Sequence, residues 1–64
     1  MSLKDDMEHG VFSGADNFHA QLLRIMMKAD SGNLGRLSRA FPHTAKVLSA
    51  WKAGESIPDL PYEE

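Results

Sequence analysis

Histidine is the side chain of this sequence best suited to acid–base or metal chemistry, and it occurs three times, as His9, His19 and His43. An imidazole changes its charge near neutral pH and is a common metal ligand. Two imidazoles share one helical face when they are four residues apart, but no pair here has that spacing. His9 stands close to Asp5, Asp6 and Glu8, which would allow a weak metal contact without the ligands of a dedicated site. We therefore predict no metal site.

The other residues with catalytic potential lack the neighbours that their chemistry requires. None of the serines lies in the Gly-x-Ser-x-Gly pattern of a nucleophile elbow. Gly32 and Gly35 are not followed by the Gly-Lys-Ser/Thr of a phosphate-binding loop. The absence of cysteine excludes disulfides and a thiolate zinc site. We predict that the protein is not an enzyme and carries no cofactor.

The first predicted helix covers about residues 14–29. Ser13 offers a cap at its start, with Asp16 three residues later, and Asn17 offers a competing start. Apolar residues then recur at helical spacing and define one face. They are Phe18, Leu22, Ile25, Met26 and Ala29.

The stretch "KADSGN" ends that helix, and two shorter helices are predicted over residues 31–41 and 43–53. Asp30 or Ser31 can cap the first of them. Pro42 interrupts the run, because proline suits the first position of a new helix but not the interior of one. Gly54 is placed to end the last helix. Beyond it, Pro58 and Pro61 require residues 55–64 to be an extended tail.

The fold class predicted from these segments is all-α, a small three-helix unit over residues 13–54. Residues 1–12 read as a polar N-terminal arm, flexible or docked onto a helix or a neighbouring chain, with Leu3, Met7, Val11 and Phe12 scattered through it. The predicted core consists of Phe18, Leu22, Ile25, Met26, Leu34, Leu37, Phe41, Val47, Leu48 and Trp51.

Composition sets limits on the class of protein. Sixty-four residues make one small domain, and 42% hydrophobic residues is too many for a disordered chain. No apolar run approaches the roughly 20 residues of a membrane span, and no signal-peptide pattern occurs. We expect a cytoplasmic protein without membrane contact.

Positive charge is concentrated in the middle of the sequence. Residues 24–52 contain six basic residues and one acid, Asp30, for a net charge of +5, while the whole chain carries −2. Such a block can contact phosphates, although charged residues more often simply solvate outer helix faces. Nucleic-acid binding is therefore the alternative function, through Arg36, Arg39, Lys46 and Lys52.

Residues 37–60 resemble the helix-turn-helix stretch of phage-repressor-type DNA-binding domains. The matching positions are Leu37, Phe41, Thr44, Leu48, Ser49, Trp51 and Gly54. That resemblance implies a tight turn with a left-handed backbone, which Pro42 cannot adopt. The would-be recognition helix also offers no Arg, Asn or Gln for bidentate base contacts.

A second resemblance covers residues 18–54, which are similar to a group of short bacterial and phage-associated helical proteins without an assigned activity. The shared pattern is Phe18, Lys28-Ala29-Asp30, Asn33, Leu37, Phe41-Pro42 and Trp51. This resemblance includes Pro42 and implies a helical fold but no activity.

Apolar residues exceed what three short helices can readily cover. Leu23, Met27 and Trp51 widen the helical stripes, and Ile57, Leu60 and Tyr62 follow in the tail. Either the tail folds back and buries the surplus, or the surplus forms a contact surface. We favour protein–protein contacts, with a homo-oligomer or a protein partner. The predicted interface consists of Phe18, Leu22, Leu23, Met26, Met27 and Trp51.

Overall fold

The computed structural model describes residues 2–63 and confirms the all-α fold class. Within this range there are four helices and no strand. They are α1 over residues 3–13, α2 at Phe18–Lys28, α3 at Ser31–Ala40 and α4 at Pro42–Ala53. Residues 55–63 are non-helical, as their two prolines require. Met1 and Glu64, which belong to the predicted arm and tail, lie outside the described residues.

The N-terminal segment is a helix docked onto the other helices, which is the second of the two forms considered for the arm. Helix α1 has an α-helical turn at Leu3–Asp5, a π-helical middle at Asp6–Gly10 and a last turn at Val11–Ser13. Its apolar residues recur every four positions and share one buried face. These are Leu3, Met7 and Val11. Burial of that face stabilises the helix, although most residues of the segment are polar.

A left-handed glycine ends α1 and moves the start of the next helix. Gly14 has φ 80°, and the Ala15 N–H donates to the Gly10 carbonyl at 3.1 Å, as in a Schellman motif. Ser13 therefore ends a helix instead of capping one, and the predicted start of the next helix at residue 14 was wrong. Helix α2 begins at Phe18 after Asn17, the competing start.

The corner between α3 and α4 has the predicted form. The Asp30 side chain accepts a hydrogen bond from the Asn33 N–H at 2.8 Å and caps α3. Only Phe41 separates the helices, and Pro42 occupies the first position of α4. Gly54, with φ 72°, ends α4. The corner therefore breaks one helix and starts the next, as the proline indicated.

The core lies between α1, α2 and α4, whereas α3 contributes no buried residue. Four predicted core residues are buried, namely Leu22, Met26, Val47 and Leu48, and three are half-buried against them, namely Leu34, Leu37 and Phe41. The prediction was wrong for Phe18, Ile25 and Trp51, which are 61%, 56% and 38% exposed. The buried face of α2 is turned towards Ala20 and Leu23, because α1 packs there. A Cβ on Gly10 would lie 3.5 Å from the Ala20 Cβ, an ordinary van der Waals distance, which shows how closely α1 and α2 pack there.

The tail folds back over the helices. Ile57, Leu60 and Tyr62 are half-buried and pack against the core. This part of the apolar surplus is therefore covered within one molecule, the alternative to an intermolecular contact.

Candidate functional site

A buried carboxylate joins three distant parts of the chain. Asp6 in α1 is 4% exposed and accepts hydrogen bonds from the Tyr62 hydroxyl at 2.8 Å and the Asn17 amide at 3.1 Å. Burial raises the pKa of Tyr62 to about 12, and the hydrogen bond to Asp6 and the charges of Asp6 and Asp5 act in the same direction. Each Asp6 oxygen thus has a donor, and the tail is fixed to α1.

A second carboxylate of the tail caps α4. One oxygen of Glu63 accepts from the Thr44 N–H at 2.6 Å, and the other accepts from the Thr44 hydroxyl at 2.8 Å. Thr44 is the third residue of α4, where the N–H has no partner within the helix. Burial alone would raise the pKa of Glu63, but the Thr44 hydrogen bonds outweigh it and lower that pKa.

Two histidines lie against the same stretch of tail. His19 Nε2 is 3.3 Å from a Glu63 oxygen, which is an ion-pair distance, and it makes no hydrogen bond. His43 Nδ1 is 2.8 Å from the Pro61 carbonyl oxygen. The ring of His19 also packs on Tyr62, with centroids 4.3 Å apart. The third histidine, His9, is exposed on α1.

The geometry of this polar cluster is that of a structural clasp. The Thr44 hydroxyl is fully buried and donates to Glu63. The cavity beside this cluster, of about 430 Å³, is lined by Pro42, His43, Pro61, Tyr62 and Glu63, and Thr44 does not line it. Sequence reasoning missed Asp6 and Glu63, because their partners are 56 and 19 residues away and no local pattern connects them.

Three exposed donors on α1 are close enough to share a cation. Oxygen atoms of Asp5 and Glu8 and a nitrogen of His9 lie within 4.8 Å of one another. Asp6, which the sequence placed in the same group around His9, is instead buried and accepts hydrogen bonds from Tyr62 and Asn17. Solvent-exposed carboxylates often group in this way without an ion, and we assign no role in metal binding to them.

Helix α3 is flanked by two apolar grooves with basic rims. The α3–α4 groove, of about 410 Å³, has Lys46 and Lys52 as its charged residues. The α2–α3 groove, of about 550 Å³, has Lys28 and Arg36. The apolar lining of the two grooves comprises Leu34, Ala45 and Leu48 in the first, and Ile25, Ala29 and Leu37 in the second. Half-burial of Leu34 and Leu37 therefore results from grooves that remain open.

Exposed aromatic rings pair at two places on the surface. Phe12 of α1 is 63% exposed and lies against Trp51 of α4, with ring centroids 5.6 Å apart. Phe18 of α2 lies against Phe41 at the α3–α4 corner, with centroids 5.8 Å apart. Each pair bridges two helices and still presents apolar area to solvent.

Some residues of the predicted interface are exposed and others are buried. Phe18 and Trp51 are exposed and Met27 is half-buried. Leu22, Leu23 and Met26 are at most 5% exposed within one molecule, so their assignment to a contact surface was wrong. The reason is α1, which covers the side of α2 that a three-helix unit would have left open. Phe12 and Ile25 are exposed apolar residues that the predicted interface lacked.

The predicted nucleic-acid residues are all exposed but do not form one stripe. Lys46 and Lys52 border the α3–α4 groove, whereas Arg36 borders the α2–α3 groove and donates to Asn33 Oδ1 at 3.2 Å. Arg39 is near the end of α3. The positive charge thus surrounds α3 instead of following a single helix.

The fold and this surface define the class of protein as a compact four-helix unit with basic apolar grooves. The chain matches no family model, no curated protein and no solved structure. Among residues 2–63, no helix combines the length and the apolar character needed to cross a membrane.

Proposed function

We propose that this is a non-enzymatic protein that acts through protein–protein contacts and associates with itself. The observation that carries the proposal is the exposure of Phe12, Phe18 and Ile25, each more than half accessible to solvent. A chain this small has few large apolar residues to stabilise it, and leaving three outside the core favours a second role for them.

The packing of α3 supports the same proposal. This helix has an apolar side formed by Leu34 and Leu37, yet none of its residues is buried. Helices in small proteins gain most of their stability from packing of such a face. A partner that fills the grooves beside α3 would complete that packing.

Sedimentation equilibrium over the micromolar range tests self-association. We expect the average mass to rise above that of one chain as concentration increases. Phe12→Ser should move this transition to higher concentration, whereas Ala53→Ser, at a small exposed residue of α4, should leave it in place. A single-chain mass at every concentration would contradict the proposal.

Nucleic-acid binding is retained as the second candidate because Arg36, Arg39, Lys46 and Lys52 are all exposed. Fluorescence anisotropy with a random-sequence DNA duplex would test it. Phosphate contacts strengthen as salt falls, so binding should appear first at low salt and weaken in Lys46→Gln/Lys52→Gln. Lys28→Gln, outside this set, is the matched control. No binding at low salt would eliminate the candidate.

A further inference from the structure

The outward face of α1 is acidic and ends in an aromatic ring. Oxygen atoms of Asp5 and Glu8 lie within 4.8 Å of each other, Phe12 follows Glu8 by four residues, and all three side chains are exposed. Phe12 leans on Trp51 and keeps 63% of its surface accessible. We call these three residues the acidic face.

The α3–α4 groove has the complementary character. Its floor is apolar, from Leu34, Ala45 and Leu48, and both of its charged residues, Lys46 and Lys52, are positive. An apolar groove bordered by lysines suits an amphipathic helix with an exposed ring and flanking carboxylates.

The acidic face and the groove occupy different sides of the same molecule. Trp51 of α4 contacts Phe12, while its neighbour Lys52 and Ser49 line the groove. Consecutive residues of an α-helix point about 100° apart, so α4 separates the two surfaces. One molecule can therefore use both at once.

We propose that the acidic face of one copy docks into the α3–α4 groove of the next copy, which gives head-to-tail association. This inference rests on the self-association proposed above and names its two surfaces. A two-fold contact of groove with groove would oppose Lys46 and Lys52 to the same residues of the other copy. A two-fold contact of two acidic faces would likewise oppose carboxylates. A reciprocal two-fold dimer would need the acidic face and the groove of one copy to meet the same partner, although the two surfaces lie on different sides of the molecule. Head-to-tail contacts avoid both repulsions without that requirement, and they extend into open chains or closed rings.

Two complementary variants test this geometry by sedimentation velocity. The groove variant Lys46→Glu/Lys52→Glu retains its acidic face, and the face variant Glu8→Gln/Phe12→Ser retains its groove. Each variant alone should lose all species larger than one chain at concentrations where the unsubstituted protein assembles. An equimolar mixture should form a discrete dimer, because only one complementary pair of surfaces remains.

A charge-exchanged variant, Asp5→Lys/Glu8→Lys/Lys46→Glu/Lys52→Glu, keeps the test valid if a single variant fails to fold. It should assemble as the unsubstituted protein does, with folding checked by circular dichroism. Lys28→Glu/Arg36→Glu reverses the charges of the other groove and should leave assembly unchanged.

The outcomes separate this inference from the proposed function. An unsubstituted protein that assembles, with a mixture that contains only single chains, would overturn the head-to-tail contact and leave self-association in place. Equal loss of assembly in Lys28→Glu/Arg36→Glu would also overturn it, because the effect would then be one of general charge. An unsubstituted protein that remains a single chain would overturn both.

Discussion

Helices α3 and α4 are joined by one residue, Phe41, but they are held in very different ways. The first turn of α4 donates two hydrogen bonds to the Glu63 carboxylate, and Thr44 there is fully buried. Helix α3 is capped by Asp30 from its own sequence neighbourhood and buries no residue. One helix is fixed by distant parts of the chain, and the other depends mainly on local interactions.

The difference shows which helices receive the few buried side chains of so short a chain. The tail lies against the N-terminus of α4, where Glu63 accepts hydrogen bonds, and against α1, where Tyr62 donates one to Asp6. Its apolar residues also cover the core. No comparable segment covers the grooves beside α3 within residues 2–63. We therefore interpret α1, α2, α4 and the tail as the stabilising unit, and α3 as the element available to a partner.

The largest expected difference between the two regions is in their response to the same core substitution. Leu23→Ala removes a side chain that is fully buried in α2 and should lower the free energy of unfolding by about 2–5 kcal/mol. Leu34→Ala in α3 removes a half-buried side chain at an open groove and should cost about 1 kcal/mol, from the smaller apolar area lost. Urea unfolding followed by circular dichroism would measure both.

These two variants also provide each other's control, since the residue and its replacement are identical. Comparable losses of stability would mean that α3 is as firmly packed as α2. The distinction between a stabilising unit and an available helix would then fail.

The next effect concerns the clasp and its dependence on pH. At pH 7, Glu63→Gln should lower the free energy of unfolding by about 1 kcal/mol, because a neutral amide caps α4 less strongly than a carboxylate. The folded-state pKa of Glu63 is lower than its ordinary value of 4.5. The unfolded state therefore takes up the proton first as pH falls, and the stability that Glu63 contributes is lost as pH passes through the folded-state pKa.

Urea unfolding at several pH values between neutral and strongly acidic would check this sign. The two proteins should differ most at neutral pH and converge in acid. Asp59→Asn, at an exposed carboxyl of the same tail, is the matched control and should change neither the stability nor its pH dependence by a comparable amount. A constant difference between Glu63→Gln and the unsubstituted protein at all pH values would contradict the assigned role.

Local patterns were sufficient to predict the elements whose ends are set by their own residues. The Asp30 cap, the corner at Pro42 and the end of α4 at Gly54 each follow from backbone chemistry within a few residues. Helix α1 also had a local signal, since Leu3, Met7 and Val11 recur at four-residue spacing after Ser2, whose side chain caps that helix. The polar residues between these positions, together with Gly10, made this helical pattern hard to detect.

The arrangement of the helices could not be predicted in the same way. Which side of α2 is buried depends on where α1 packs, and this decides that Leu23 is inside and Ile25 outside. The clasp is even harder to predict from the sequence, because Asp6 and Tyr62 are far apart in the chain and only the fold places their oxygen atoms 2.8 Å from each other. The exposed apolar surface could be predicted only in part, because a residue is exposed only if no other helix packs against it.

The smallest expected effect has the opposite sign and concerns backbone propensity in α3. An added Cβ at Gly35 would meet no atom within 4 Å, so Gly35→Ala introduces no clash and should raise the free energy of unfolding by about 0.5–1 kcal/mol. Propensity should matter more in α3 than elsewhere, because tertiary packing supplies less of the stability of that helix. Amide hydrogen exchange should slow more in α3 than in α2. Gly54→Ala is the contrasting control, since its φ of 72° disfavours a side chain and the same substitution should cost about 1 kcal/mol. If Gly35→Ala left α3 exchange unchanged, its stability would be set by tertiary contacts, and α3 would belong to the stabilising unit after all.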